Sequence, residues 1–400
     1  MRRLRADSHF MTVQGGSKSD GKYFYFAGGG TGGHIYPALA VAEQIASIEP
    51  TAKISFFCSS RAIDERVLAP TGFERTVLPA KGLSLRGLVD FCRSFLASYK
   101  AAKHVLSITS GDNESPSLVH RSSSVVVGAG GYVSAPVCLA AHRLKIPIVL
   151  INVDIVPGRA NRMLARRAGE VFLQFEEAGG YFDRRNVKTT VIGCPLRSGF
   201  ANPDPAEAIK QLDLNPDQRI LLITGASSGA QSINKTICSL LKELDAFADD
   251  WQIVHLTGRE NQEEVARKYE GAKIDHKVIG YFDNMPSLLA AADLLIGRSG
   301  AVSIAEYAAA AVPSICIPYP HHKDRHQYFN AEKLIEAGAA IVVDDLPDEK
   351  GRAEWLWEEL EELMKDKAKR DQMAEACRTV GRPDAALKIA EKLIAMTGSR

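Results

Sequence analysis

Short runs of β-branched and aromatic residues alternate with helical patterns along almost the whole chain, and the alternation restarts half-way. In the first half KYFYFA (22–27), KISFFC (53–58) and SVVVG (124–128) read as strands, as do 147–151, 170–174 and 188–192. Helices are expected at 37–47, 62–69, about 86–106, 135–143 and 158–168. The second half begins again with RILLIT (219–224), and strands at 252–256, 276–280, 293–296, 313–317 and 340–343 alternate with helices to the end. Strands separated by helices form right-handed βαβ units and a parallel sheet covered on both faces. The break near 198–217 is rich in Pro, Asn and Asp and reads as a linker. The expectation is α/β: two doubly wound, Rossmann-like domains, 22–198 and 199–380, facing each other across a cleft. The 400 residues suit that division, at roughly 100–200 residues per domain.

Composition excludes several other classes. The chain is 46% hydrophobic and 24% charged, which fits neither a disordered chain nor a disulfide scaffold. Its longest apolar runs, such as IPIVLI (146–151), fall far short of the ~20 residues that a membrane-spanning helix needs. The seven cysteines include no CxxC pair, which argues for a reducing compartment and against structural zinc. Residues 1–21 lack an apolar core and read as a disordered tail rather than a secretory signal. The net charge of +1 conceals a division: residues 1–198 carry +10 and residues 199–400 carry −9. A basic half beside an acidic one points to an anionic partner for the first, with chance and the basic tail as the plainer explanation.

Glycine loops locate the cleft. GGGTGGH (28–34) follows the first strand and satisfies G-x-G-x-x-G in its strand–turn–helix setting. A dinucleotide site would also need an acid at the end of the second strand to hold a ribose, and FFCSSR (56–61) has none there. Three further loops, GAGGYVSAP (128–136), GASSGAQSIN (225–234) and GRSGAVSIAE (297–306), also follow apolar strands and open helices. Helix N-termini of this kind favour phosphate. Four of them at strand ends, shared between two domains, mark a ligand cleft at the carboxyl edges of both sheets.

The order of motifs is more specific than any one loop. GGGTGGHIYPALAVA (28–42), GAGGYVSAPVCLAA (128–141), PGRANRMLA (157–165), GCPLR (193–197), GASSGA (225–230), GYFDNMPSLLAAADLLIGRSGAVSIAE (280–306) and PYPHHKDRHQYFNA (318–331) closely resemble the MurG family of N-acetylglucosaminyltransferases, in glycosyltransferase family 28. The resemblance implies the GT-B fold, with a C-terminal helix (about 381–397) returning to the first domain. It implies a hexosyltransferase that takes UDP-N-acetylglucosamine and the lipid-linked acceptor lipid I, inverts the sugar linkage and makes lipid II for peptidoglycan, with a related GT-B transferase on another lipid acceptor, or a non-catalytic sugar-nucleotide-binding protein, as the alternatives. It implies neither a cofactor nor a metal, no nucleic-acid partner, and a peripheral place on the cytoplasmic face of the inner membrane, with a cell-wall synthesis complex as a further partner.

The same resemblance assigns residues. Glu306 matches the carboxylate on the uridine ribose, Phe282 a position lining the uracil, and Ser227 and Arg197 the diphosphate contacts. Ala301 and Val302 would offer backbone N–H groups to the diphosphate and sugar, and Gln327 matches a glutamine on the sugar hydroxyls. In the first domain Thr31, Gly32, Gly33 and His34 match the loop reaching the donor sugar and the acceptor. His34 is the candidate general base, since an imidazole suits proton abstraction near neutrality; its alternative is to hold the loop. Tyr132 and Ser134 either touch the acceptor diphosphate or pack the loop. One segment departs from the family, which has His-Glu-Gln-Asn where this chain has Ile151, Asn152, Val153 and Asp154. The family's Asn contacts the donor. Asp154 can accept a hydrogen bond there but cannot donate one, and it adds charge. Finally, Leu88, Phe91, Phe95 and Tyr99 recur at helical spacing, flanked by Arg86, Arg93, Lys100 and Lys103. This fits either an interfacial helix on anionic lipid or an amphipathic helix packed on the sheet through those aromatics.

Overall fold

The computed structural model describes residues 21–82, 87–108, 123–183, 187–226, 229–321 and 324–398. Ser227, Arg86, the tail up to residue 20 and most of the polar stretch 107–123 lie outside the described residues. Two all-parallel sheets divide the chain. The first contains β1 (Tyr23–Ala27), β2 (Lys53–Cys58), β3 (Glu74–Val77), β4 (Ser124–Gly128), β5 (Ile148–Asn152), β6 (Glu170–Leu173) and β7 (Lys188–Val191), in the order β3-β2-β1-β4-β5-β6-β7. The second contains β8 (Arg219–Thr224), β9 (Trp251–Leu256), β10 (Asp275–Ile279), β11 (Leu294–Gly297), β12 (Ser314–Cys316) and β13 (Ala340–Val342), in the order β10-β9-β8-β11-β12-β13. In each sheet the order reverses beside the first strand, between β1 and β4 and between β8 and β11. Those switch points leave a crevice at the carboxyl ends of the strands.

The central strands are buried on both faces, which is why they read as unbroken apolar runs. On one side of the first sheet, Phe24, Phe26 and Val127 pack with Ile35, Leu39 and Ile45 of the helix Gly32–Ile48. The last helix, Ala385–Gly398, crosses back and packs on that helix, adding Ile389, Ala390 and Leu393 to the same core. Each such large side chain contributes roughly 1.5–3 kcal/mol. The same cluster runs through Cys194, Leu196 and Phe200 into the second domain, so the two halves share an apolar hinge.

Three local expectations change. The first helix starts at Gly32, five residues before the expected position, and carries Pro37 inside it. The stretch 198–217 is more than a linker: Asp204 caps a helix at Pro205–Leu212, accepting from the Ala206 N–H at 3.0 Å, and this helix packs on Met285–Ala291. The helix Leu88–Ile108 fully buries Ser94, Ser98, Ala102 and Leu106, while Phe91, Phe95 and Tyr99 are half-buried, Tyr99 against the core. Small residues four apart let it lie close to the helix Gly131–Arg143.

Behind the second sheet, His255 is fully buried between Asn234 and Tyr269. Its Nε2 lies 3.0 Å from Asn234 Oδ1 and its Nδ1 3.0 Å from the Tyr269 hydroxyl. Asn234 Nδ2 donates to the Thr257 carbonyl, which leaves its Oδ1 to accept, so the imidazole is neutral with the proton on Nε2. Burial pushes its pKa down to about 3. A pKa below the unfolded value means stability that is complete above about pH 6.5 and lost as the pH falls towards 3. Urea unfolding should therefore show a loss of about 2 kcal/mol between pH 7 and pH 5 that His255→Gln lacks. An equal decline in both proteins would refute this.

Candidate functional site

The first loop is held by a carboxylate. Gly29 (φ +151°) and Gly30 (φ +85°) adopt backbone that side chains disfavour. A Cβ on Gly30 would also lie 2.8 Å from the Tyr132 hydroxyl, and one on Gly29 would strike Asp64. Asp64, fully buried, accepts the Gly30 N–H at 2.8 and 3.0 Å, the Ser59 N–H at 2.8 Å and the Ser59 hydroxyl at 2.6 Å. Arg61 donates to the Gly30 carbonyl at 2.8 Å. The acid missing from the end of β2 thus reappears in the following helix, Ala62–Leu68, where it binds the loop itself.

This loop and its neighbour enclose His34. Thr31 Oγ1 lies 2.9 Å from His34 Nδ1. The second glycine loop passes over the ring: Gly130 (φ +96°) could carry no side chain, because its Cβ would sit 2.8 Å from His34 Cδ2. Burial lowers the His34 pKa, while Asp154, the Gly29 carbonyl and Asp64 act to raise it. The ring is therefore neutral near pH 7. Ser134 donates to the Ala27 and Gly130 carbonyls at 2.7 and 2.6 Å, so it packs the loop and is spent on the backbone. Beside His34 opens a cavity of about 470 Å³ lined by Tyr132, Asp154, Arg159, Phe91 and Phe95.

The second domain brings another cluster to the cleft. Helix Ala301–Ala309 opens at Gly300 with Ala301 buried and Val302 half-buried. One turn on, Glu306 Oε1 lies 3.7 Å from Arg197 Nη2, with both side chains mostly buried. Burial pushes the Glu306 carboxyl up to about 7 against the pull of Arg197. Arg197 also donates to the Asp283 carbonyl at 3.2 Å and lies 4.8 Å over the Tyr36 ring, and its buried Nε has no partner among the described residues. Phe282 packs half-buried on the core, while its neighbour Tyr281 meets Tyr36 hydroxyl to hydroxyl at 3.0 Å across the cleft. Gln327 accepts from the Tyr319 N–H at 2.9 Å.

The domains also meet at Asp154. The fully buried Asn330 donates to Asp154 Oδ1 at 3.3 Å and accepts from the Ile155 N–H at 3.3 Å. So the structure brings together Thr31, His34 and Asp154 on one side and Arg197 and Glu306 on the other; Gly32, Gly33, Phe282, Ala301, Val302 and Gln327 lie on the segments that carry them or on neighbouring ones. Sequence reasoning did not find Asp64, Tyr36 or Asn330. Asn330 stands inside the quoted motif HQYFNA, but only its burial distinguishes it.

Comparison with known proteins fits this geometry. Residues 24–173 match the Glycosyltransferase family 28 N-terminal domain and residues 220–389 the Glycosyltransferase family 28 C-terminal domain. The chain belongs to glycosyltransferase family 28. It is 36% identical over 365 residues to a protein of Moorella thermoacetica named UDP-N-acetylglucosamine–N-acetylmuramyl-(pentapeptide) pyrophosphoryl-undecaprenol N-acetylglucosamine transferase, covering 90% of this chain and 94% of that one. A protein of the same name from Geobacter sulfurreducens is 33% identical over 374 residues, covering 93% and 98%. Among solved structures, MurG of Acinetobacter baumannii matches with a TM-score of 0.67 at 24% identity over 93% of this chain and 99% of that one. A UDP-GlcNAc 2-epimerase from Neisseria meningitidis shares the fold at a TM-score of 0.63 and 13% identity, covering 93% and 99%. As a family 28 enzyme, the chain is a hexosyltransferase with the GT-B fold.

The Asp64 latch is testable by stability. Asp64→Ala leaves three donors unpaired and should cost about 3 kcal/mol or more in urea unfolding, with Asp64→Asn losing less. A loss below about 1 kcal/mol for the alanine variant would show that the loop holds itself.

Proposed function

We propose that the chain transfers N-acetylglucosamine from UDP-GlcNAc to the 4-hydroxyl of the N-acetylmuramyl unit of lipid I, giving lipid II for peptidoglycan synthesis. The observation that carries this reading is identity above one third, over nine-tenths of the chain, to a relative named for that reaction. The site chemistry supports it. His34 takes the proton of the acceptor hydroxyl. The oxygen bonds to the anomeric carbon as the bond to the diphosphate oxygen breaks, and UDP leaves with the electron pair, so the linkage inverts. Arg197 and the N–H groups at Ala301 and Val302 meet the charge that develops on the diphosphate, and Ser227 joins them by the family pattern. Gln327 and the loop at Thr31, Gly32 and Gly33 position the sugar, Phe282 borders the uracil, and Glu306 accepts the ribose hydroxyls. Without ligand, Arg197 and Glu306 satisfy each other loosely; with ligand, each turns to its own partner.

On this reading residues 22–198 handle the acceptor and residues 199–380 the donor. The acceptor is lipid-linked, and among the described residues no helix is long and apolar enough to cross a membrane. Peripheral attachment, at the cytoplasmic face of the inner membrane, is supported by Leu88, Val89 and Leu96, which are 59%, 64% and 57% exposed beside the cavity-lining Phe91 and Phe95. Arg93, Lys100 and Lys103 are exposed on the same helix, and Arg166 and Arg167 on the adjoining surface.

Three measurements test this. Incubation with lipid I and UDP-GlcNAc should yield lipid II; transfer to diacylglycerol instead would sink the assignment. UDP-GlcNAc should bind about tenfold tighter at pH 8 than at pH 6, because Glu306 must ionise to accept two hydroxyls while the donor's diphosphate stays ionised throughout. Glu306→Gln should abolish that dependence and weaken binding about tenfold at pH 8. In liposome sedimentation, changing Arg93, Lys100 and Arg166 together to Glu should release the protein from anionic vesicles; unchanged binding would remove the membrane role.

A further inference from the structure

Within the acceptor cavity, one charged group stands where the family pattern has an amide. Asp154 and His34 line the same cavity. Asp154 is fixed from several sides. Its carbonyl accepts from Asn152 Nδ2 at 2.7 Å, its Oδ1 accepts from Asn330 Nδ2 at 3.3 Å, and the next N–H, that of Ile155, donates to Asn330 Oδ1. Asn330 is fully buried and also reaches the Ser299 carbonyl at 3.5 Å, so the clamp belongs to the second domain.

We infer that Asp154 is a positioning residue for His34: held by Asn330 from the opposite domain, its carboxylate faces the imidazole and stabilises the proton that His34 takes from the acceptor. This rests on His34 being the base. The proton passes from the acceptor hydroxyl to the imidazole and stays there; Asp154 remains ionised and balances the new positive charge. Among the described residues, the groups around His34 are the Thr31 hydroxyl and Gly29 carbonyl on its own loop, Asp64 from the helix Ala62–Leu68, Asp154 from the segment after β5, the backbone of Gly130 and Gly131, and Tyr132 and Arg159 in the same cavity. Asp64 already accepts three donors in the loop, so its charge is heavily committed. Asp154 is the largest of the influences that raise the His34 pKa against burial. Because the clamp is in the other domain, the base reaches full strength only with the domains closed on each other. This role differs from a sugar contact, which would act on donor affinity.

The test is Asp154→Asn, which restores the family's amide. It should lower kcat about tenfold, leave KM for UDP-GlcNAc within about twofold, and move the acid limb of the kcat/KM profile down by about one pH unit. Asp154→Glu should recover part of kcat. Asn330→Ser, with folding checked by UDP binding, should reproduce the shifted limb, and the double variant should be no worse than either single one. If Asp154→Asn instead changes KM while kcat and the acid limb stay put, Asp154 is a donor contact and the inference fails. Should His34→Ala retain most activity, the base assignment itself falls. If His34→Ala is inactive but Asp154→Asn leaves kcat and the limb unaltered, only the present inference falls.

Discussion

The interaction on which the site depends is that between the Asp64 carboxylate and the Gly30 N–H. Five glycines in six residues gain nothing from side-chain packing and lose much chain entropy on ordering. Some other group must fix them, and a fully buried anion with Gly30 and both Ser59 donors around it does so from outside the loop. Charge-assisted hydrogen bonds are about twice as strong as neutral ones, which suits a loop with no apolar surface of its own. Once the loop is fixed, the start of the helix Gly32–Ile48 is fixed, and with it His34 and Tyr36. The same arrangement takes the Gly30 N–H away from any phosphate, since it already has a carboxylate.

Beyond the loop, the two halves touch through polar pairs as well as through the apolar cluster they share. Tyr36 meets Tyr281, Asp154 meets Asn330, Lys333 meets Glu177 at 2.6 Å, and Gln174 donates to the Ala301 carbonyl. Hydrogen bonds of this kind net about 1 kcal/mol each because water replaces them readily. These pairs can exchange with water, while Leu196 and Phe200 keep the hinge packed. Closure is what places the second domain's Asn330 against the first domain's Asp154.

What could be read from sequence follows the physics of each element. The buried strands and the four loops after them were legible because a parallel sheet needs apolar runs and its helices need turns. Strand β3 was not, because ERTV is mostly exposed at the sheet edge and carries two charges. The helix Pro205–Leu212 was taken for linker because Asp204 and Pro205 are both a turn signal and a helix start. Gly32 and Gly33 hid the true beginning of the first helix for the same reason, since propensity counts against glycine while the latch does not. At the cleft, the sequence points to residue types with a family counterpart and not to those, such as Asp64 and Asn330, whose contacts come from burial. Asp64 looks like any helix-surface acid until its four contacts are seen.

The charge division acquires a finer meaning at the site. A basic first half suits a lipid diphosphate, yet the acceptor cavity also holds Asp154, an anion where the substrate brings more negative charge. Repulsion of that kind weakens ground-state binding. On the proposed mechanism it is offset in the transition state, when His34 becomes cationic beside the carboxylate. An interaction stronger in the transition state than in the ground state is the one that accelerates a reaction. The family's amide would be neutral in both states. On that reading the substitution of Asp for Asn trades some affinity for a stronger base, with Asn330 at hand to hold the carboxylate.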